Sequence, residues 1–271
     1  MNTSSTYPSR SNLTLKTYCL CLLLISAFAV AAQPAGRAIV DQQITWASYI
    51  SNVKLSDRLT LFLDGQFRYV ASAQNTKAME PMQTLLRTIL DYNINKKLSV
   101  SPLGYARVIN HLYGKQPNSI VNNEHRLYQQ IFYKHSLGKL NVNHRLRLEE
   151  RFIQSHDALG ADLGYKSNKQ FRARYRLMMN LPLNTEKVEK GTWSSTFFYE
   201  GFISKGKSVT FHDIDQSRTF LGLTYQATKN LSVAGGYYYQ MLVKANGAKQ
   251  ENNVGALIMV THNFDLSKKE D

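Results

Sequence analysis

The chain has 271 residues, with 33 Lys and Arg against 19 Asp and Glu, a formal charge of +14 and an aromatic share of 11%. Its 6 prolines and 15 glycines are too few for a disordered or collagen-like chain. A hydrophobic share of 43% with a mean hydropathy of -0.34 excludes a polytopic helical membrane protein.

Residues 1–18 are polar, with Arg10 and Lys16 as their charges, and residues 19–30 read CLCLLLISAFAV before Ala31 and Ala32. A basic start, a short apolar run and small residues at its end predict a secretory signal peptide over 1–32, leaving 33–271 as one barrel domain. The apolar run is shorter than the roughly 20 residues that span a bilayer as a helix. Cleavage after Ala31 or Ala32 removes Cys19 and Cys21, the only cysteines. The mature chain then has no disulfide, thiolate metal site or cysteine nucleophile.

From Gln43 onward the dominant pattern is alternation with period two, the signature of strands with one apolar face. It predicts strands over 44–53, 59–70, 83–94, 98–112, 123–135, 140–152, 170–181, 192–203, 215–227, 231–243 and 252–264. The clearest is 170–181, where Phe171, Ala173, Tyr175, Leu177, Met179 and Leu181 alternate with Gln170, Arg172, Arg174, Arg176, Met178 and Asn180. Connections at 54–58, 95–97, 137–139 and 228–230 are tight, whereas 71–82, 113–122, 154–169, 204–214 and 244–251 are long and 181–191 is intermediate.

Long strands joined by short turns at one end and long loops at the other predict an all-β fold, an antiparallel up-and-down transmembrane β-barrel in the outer membrane. Tyr69, Tyr92, Tyr133, Phe152, Phe171 and Trp193 near strand ends, with aliphatics nearer the middles, fit aromatic girdles against outer-membrane lipid. Single-chain barrels usually have an even strand number, so eleven visible strands predict about twelve, the missing one sought at 37–40.

A lipid-facing arginine would cost roughly 2 to 4 kcal/mol at mid-depth, so the arginine-bearing faces point inward. The expected lumen network consists of Arg126, Arg145, Arg147, Glu149, Arg151, Arg172, Arg174, Arg176, Glu200 and Arg218. Asp64, Arg68, Arg87, Asp91, Arg107, Glu124 and Lys134 are assigned to the same face. Folding back at the loops sets Glu149 opposite Arg174, Arg174 opposite Glu200 and Glu200 opposite Arg218, a row of alternating charge. Such a row fills and neutralises a narrow interior, and the excess of arginine over acid favours an anionic solute if one enters.

The histidines carry no HExxH or i, i+4 pair, although His156-Asp157 and His212-Asp213 stand in two long loops that could approach. No cofactor or metal is expected. Export and the spreading of charge along strands argue against nucleic acid, and no GxSxG, P-loop or Rossmann fingerprint occurs.

The segments Asn143-His144-Arg145-Leu146-Arg147-Leu148-Glu149-Glu150-Arg151-Phe152, Phe171-Arg172-Ala173-Arg174-Tyr175-Arg176 leading to Leu181-Pro182-Leu183, Phe198-Tyr199-Glu200 and Asp215-Gln216-Ser217-Arg218 resemble the Gram-negative outer-membrane barrels grouped as domain of unknown function 2490. The resemblance covers about 46–264 and implies a porin-like fold and an outer-membrane location without an activity. The run Asn253-x-Gly255-x-x-Ile258-x-Val260 is similar to the insertion signal read by the barrel assembly machinery, a partner during biogenesis, but with aliphatics where aromatics are usual.

The expectation is therefore a non-enzymatic barrel, either a narrow anion-leaning pore or a closed structural or binding barrel. The alternative is an outer-membrane lipid hydrolase, which needs a hydroxyl within about 3 Å of a base. Its candidates are Ser155 beside His156 and, less favourably, Ser136 beside His135, since strand neighbours point to opposite faces.

Overall fold

The computed structural model describes residues 37–71, 79–113, 120–211 and 213–267; the predicted signal peptide lies outside them. Among the described residues eleven strands follow one another without a helix: β1 (Ala38–Lys54), β2 (Leu59–Ala71), β3 (Met79–Asn93), β4 (Leu98–Asn110), β5 (Glu124–Leu137), β6 (Leu140–His156), β7 (Asp162–Pro182), β8 (Trp193–Gly206), β9 (Ile214–Gln226), β10 (Leu231–Val243) and β11 (Lys249–Asp265). Each pairs antiparallel with its sequence neighbours, and β1 pairs with β11 to close the barrel.

The twelfth strand sought at 37–40 is not a separate strand, because β1 begins at Ala38 and runs unbroken to Lys54. An odd number closes only if one pair is parallel, since β1 and β11 then run toward the same end. That pair is the β1–β11 seam, from Ala38 opposite Lys249 to Lys54 opposite Asp265. Gly255 makes the close approach possible, for a Cβ there would lie 1.7 Å from the Ile44 carbonyl oxygen.

Alternation sorts side chains by face in the way the sequence patterns dictate, but inside out relative to a water-soluble protein. On β6, Arg145, Arg147 and Glu149 are buried while Leu146 and Leu148 between them are exposed. On β7, Phe171 and Tyr175 are exposed while Arg172 and Arg174 are buried. The outer wall carries Leu86, Ile131, Leu221, Tyr237 and Ile258 in the same way.

Two departures from expectation have local causes. The predicted long loop at 154–169 is mostly strand: β7 starts at Asp162, and the connection is closed by the Asp157 carboxylate accepting from the N–H groups of Leu159 and Ala161. Over residues 162–169 only Leu163 and Tyr165 are apolar or aromatic, too short a run for the period that marks a strand, although the ladder continues. On β4 the register shifts between Ser101 and Gly104, a bulge at Pro102 and Leu103 that reverses the parity of everything after it. Proline, lacking an N–H, is tolerated at such a break. Arg107, assigned to the lumen by alternation, consequently stands on the outer face, where it donates to Tyr165 Oη at 3.0 Å and lies 2.9 Å from His125 Nε2. Gly104 after the bulge makes room for Tyr128, since a Cβ would come within 2.7 Å of its ring.

Candidate functional site

The lumen has two unlike walls. Inward residues of β1, β2 and β8–β11 form an apolar cluster of Ile44, Trp46, Val70, Phe198, Phe220, Tyr238 and Leu257. Opposite it, β5, β6 and β7 present the arginine ladder, with Glu200 and Arg218 reaching toward it from β8 and β9.

The ladder is organised around three carboxylates. Glu149 accepts from Arg172 Nε at 2.8 Å, pairs with a second Arg172 nitrogen and with Arg174, and lies 3.7 Å from Arg147. Glu200 accepts from Arg145 at 2.6 Å and from Arg174 Nη2 at 2.9 Å, with Arg218 at 3.7 Å. Glu124 accepts from Arg126 Nε at 2.8 Å and from Arg151 Nη2 at 2.7 Å. A guanidinium fork can bind two acids at once, and Arg174 uses that geometry to bridge Glu149 and Glu200.

The expected row of Glu149, Arg174, Glu200 and Arg218 is thus brought together, but only Glu200 and Arg218 are direct cross-strand partners. Glu149 faces Arg172 and Arg176 faces Glu200, each displaced by two residues from the expected pairing. A slip of two keeps the side chain on the same face, so diagonal contacts survive.

Aromatic rings complete the packing. Phe202 lies under Arg174 (4.6 Å), Arg218 (4.7 Å) and Arg172 (5.3 Å), Trp46 under Arg68 (3.9 Å) and Arg218 (5.2 Å), and Tyr128 under Arg147 (4.2 Å). These rings were not singled out in the sequence, where inward aromatics look like lipid-facing ones. Strand parity does mark them, since Phe202 shares a face with Glu200. Arg147 and Phe202 are 1% exposed and Phe220 and Tyr238 0%, so the middle of the barrel is filled by its own side chains.

Below this packed layer, toward the tight turns, the lumen opens into a cavity of about 580 Å³. Its inner end is lined by Arg87, Arg145, Arg147 and Arg176, and its wall by amides and hydroxyls such as Asn52, Asn143, Asn180, Thr60 and Thr196. Lys134 and Asn263, both exposed, stand at its mouth. Two acids temper the arginines here: Asp64 holds Arg87, and Asp91 is held by Ser101 and by Gln130 at 3.2 Å.

On the outer wall near the same end, rings form a belt. Tyr133 stacks on His135 and His135 on His144, with centroids 5.4 and 5.2 Å apart, and His144 Nδ1 lies 2.7 Å from Tyr175 Oη. His144 and Tyr175 interrupt the simple aliphatic pattern in the sequence, and the ladder explains both: Tyr175 stands two residues from Leu177, the direct partner of His144, so the two reach each other diagonally.

Neither hydroxyl proposed for hydrolysis engages its neighbouring imidazole. Ser155 Oγ lies 2.5 Å from Ser167 Oγ, while His156 contacts Asn122; Ser136 donates to Asn141 at 3.0 Å. His212 lies outside the described residues, and among those described no three His, Cys, Asp or Glu cluster as metal ligands would.

Two solved structures are similar at low identity. A chain titled "Bacterial polysaccharide outer membrane secretin" shares 12% identity with a TM-score of 0.48; the match covers 74% of this chain and 63% of that one, so this chain spans under two thirds of its length. The NanC porin shares 11% identity with a TM-score of 0.43 over 77% of this chain and 94% of that one. Resemblances this distant bear on neither ligand nor activity, and no curated protein matches the sequence. Residues 43–252, most of the barrel, match the family described as "Protein of unknown function (DUF2490)", and the chain belongs to that family.

Proposed function

We propose that this protein is a sealed, non-enzymatic outer-membrane β-barrel, closed at mid-height by its own arginine, glutamate and aromatic side chains. Its remaining lumen is a binding vestibule entered from the tight-turn, periplasmic side. The observation that carries the reading is the inversion of burial: leucines and tyrosines cover the outer wall while Arg145, Arg147, Glu149, Arg172, Arg174 and Glu200 are buried inside. A patch that wraps a whole barrel in apolar residues calls for lipid as its solvent. The signal peptide read at 1–32 and the outer ring belt of Tyr133, His135, His144 and Tyr175 favour the same location.

A porin's polar lumen is water-filled, which leaves its lining wet. Here the lining at mid-height is nearly inaccessible, which favours the closed barrel over the narrow anion-leaning pore. In this reading the assembly machinery engages β11 through its Asn253-to-Val260 signal before that strand closes on β1.

The absence of cysteine after Cys21 allows a direct test of location and orientation. Single cysteines placed by Leu159→Cys in the β6–β7 connection and by Asp57→Cys in the β1–β2 turn are exposed to a membrane-impermeant maleimide on intact cells. The expected result is labelling of the first, and labelling of the second only after the outer membrane is permeabilised. Equal labelling of both on intact cells, or of neither after permeabilisation, contradicts the reading.

A further inference from the structure

We infer that the inner end of the vestibule is a binding site for a small organic anion, one carboxylate or phosphate group on a hydroxylated body, with Arg147 and Arg176 as its principal donors.

The argument starts from how the ladder distributes its acids. On β6 and β7, Arg145 stands directly opposite Arg176 and Arg147 directly opposite Arg174. Like charges facing each other across a ladder are destabilising unless something intervenes. For Arg174 two carboxylates do, and Arg145 shares one of them. For the other two the supply runs out. Arg147 gives Nε and Nη2 to the neutral amide oxygen of Gln130, at 3.0 and 2.6 Å, and has Glu149 only at 3.7 Å. That 3.7 Å contact is made by Nη1, which is buried and has no hydrogen-bond partner, in a residue 1% exposed. Arg176 makes no hydrogen bond or ion pair with a described residue, and its Nε is buried and unsatisfied as well; so is Arg145 Nε. A buried guanidinium with idle donors is costly, and the cost falls when an anion supplies the missing acceptors.

These idle donors border a space in the lumen large enough to hold a ligand, since all three arginines line the cavity. The cavity's charged residues are Arg87, Lys134, Arg145, Arg147 and Arg176 against Asp91 alone. Asp91 is turned to Ser101 and Gln130, and the Gln130 side chain separates it from Arg147. The guanidinium forks suit the planar or tetrahedral oxygens of a carboxylate or phosphate. The rest of the wall suits what such a group would be attached to: short amides and hydroxyls, with Phe62, Phe132 and Phe198 offering flat apolar faces. A volume of about 580 Å³ lies within the range of small-molecule pockets, roughly 300 to 1,000 Å³.

The inference rests on the sealed lumen only for the site's dead end. Binding is read in detergent, independently of conductance, so the two readings fail separately. Calorimetric titration of the refolded mature chain uses galacturonate, glucose 6-phosphate, galactose and inorganic phosphate as probes, with R176Q and R176K beside the wild type. Since Arg176 makes no hydrogen bond or ion pair with a described residue, R176Q is expected to fold, and its melting temperature is recorded in the same samples.

The expected result is that at least one of the two acidic sugars binds and galactose does not, with binding weakened at least tenfold in R176Q and less in R176K. The acid that binds identifies the anionic group. The bound acid should also raise the melting temperature of the wild type and leave that of R176Q unmoved. Absence of binding by both acidic sugars, binding undiminished in R176Q, or inorganic phosphate binding as tightly as the sugar acids would overturn the assignment.

Discussion

Arg174 and Arg176 stand two residues apart on β7 and carry the same charge, yet they belong to two different environments. Arg174 is clamped between Glu149 and Glu200 and packed on Phe202, within the buried layer at mid-height. Arg176, one layer nearer the tight turns, borders the cavity without an ion-pair partner. The difference lies in the acids: Glu149, Glu200 and Glu124 give their close contacts to the closed layer, leaving Arg147 with Glu149 only at 3.7 Å and Arg176 opposite Glu200 without an ion pair to it. An arginine-rich face therefore does not by itself specify a pore. The number and placement of carboxylates decide whether arginines seal a lumen or leave donors for something else.

The strongest way to break this contrast is to give the closed layer the acid shortage of the vestibule. Glu200→Ala leaves Arg145, Arg174 and Arg218 without their shared carboxylate, and uncompensated buried charge costs about 3 to 5 kcal/mol. The expected outcome is a large fall in the urea midpoint of the refolded barrel. Phe202→Ala removes the ring beneath three guanidiniums and leaves a cavity, for an expected loss of about 3 kcal/mol by the same assay. Leu148→Arg separates the outer wall from the inner one: a new arginine at this exposed position should cost about 2 kcal/mol in lipid vesicles. In detergent micelles, where the head can reach water more easily, the penalty should shrink. The smallest effect is expected in the opposite direction. Arg176→Gln removes a like-charge pair with Arg145 and should raise stability by up to about 1 kcal/mol in anion-free buffer.

Much of the fold was legible because it depends on one periodicity. Wherever one face is apolar and the next charged, as in Phe171 to Leu181, the strand and its orientation follow directly. The periodicity failed where its premise failed. Beyond the apolar belt only Leu163 and Tyr165 interrupt the polar residues of β7, so residues 162–169 read as loop although part of them pairs with β6. The bulge at Pro102 and Leu103 shifts parity without leaving a trace in the charge pattern, and Arg107 was therefore placed on the wrong side of the wall. The odd strand count pointed to a missing strand under a rule that assumes antiparallel closure, whereas β1 and β11 meet in parallel.

The site was legible in a similar, partial way. The charged residues could be read because charge is excluded from lipid, which fixes their face. Their partners depended on register, and register depends on loop length to the residue. The even slips at β6–β7 and β7–β8 moved the direct pairs while leaving Arg174 between its two acids. The contributions of Trp46, Tyr128 and Phe202 were hidden because an aromatic residue suits lipid and a stacked guanidinium equally. The cavity could not be read at all, since it arises from the places where facing side chains are too short to meet.

Single-channel recording of the refolded mature chain in a planar bilayer, with Glu200→Ala beside it, tests the sealed layer most directly. The wild type should stay electrically silent, and Glu200→Ala should show unsteady conductance as its guanidiniums repel one another. Steady, anion-selective current through the wild type would contradict the account, because a layer whose side chains are nearly inaccessible to water has no path for an ion.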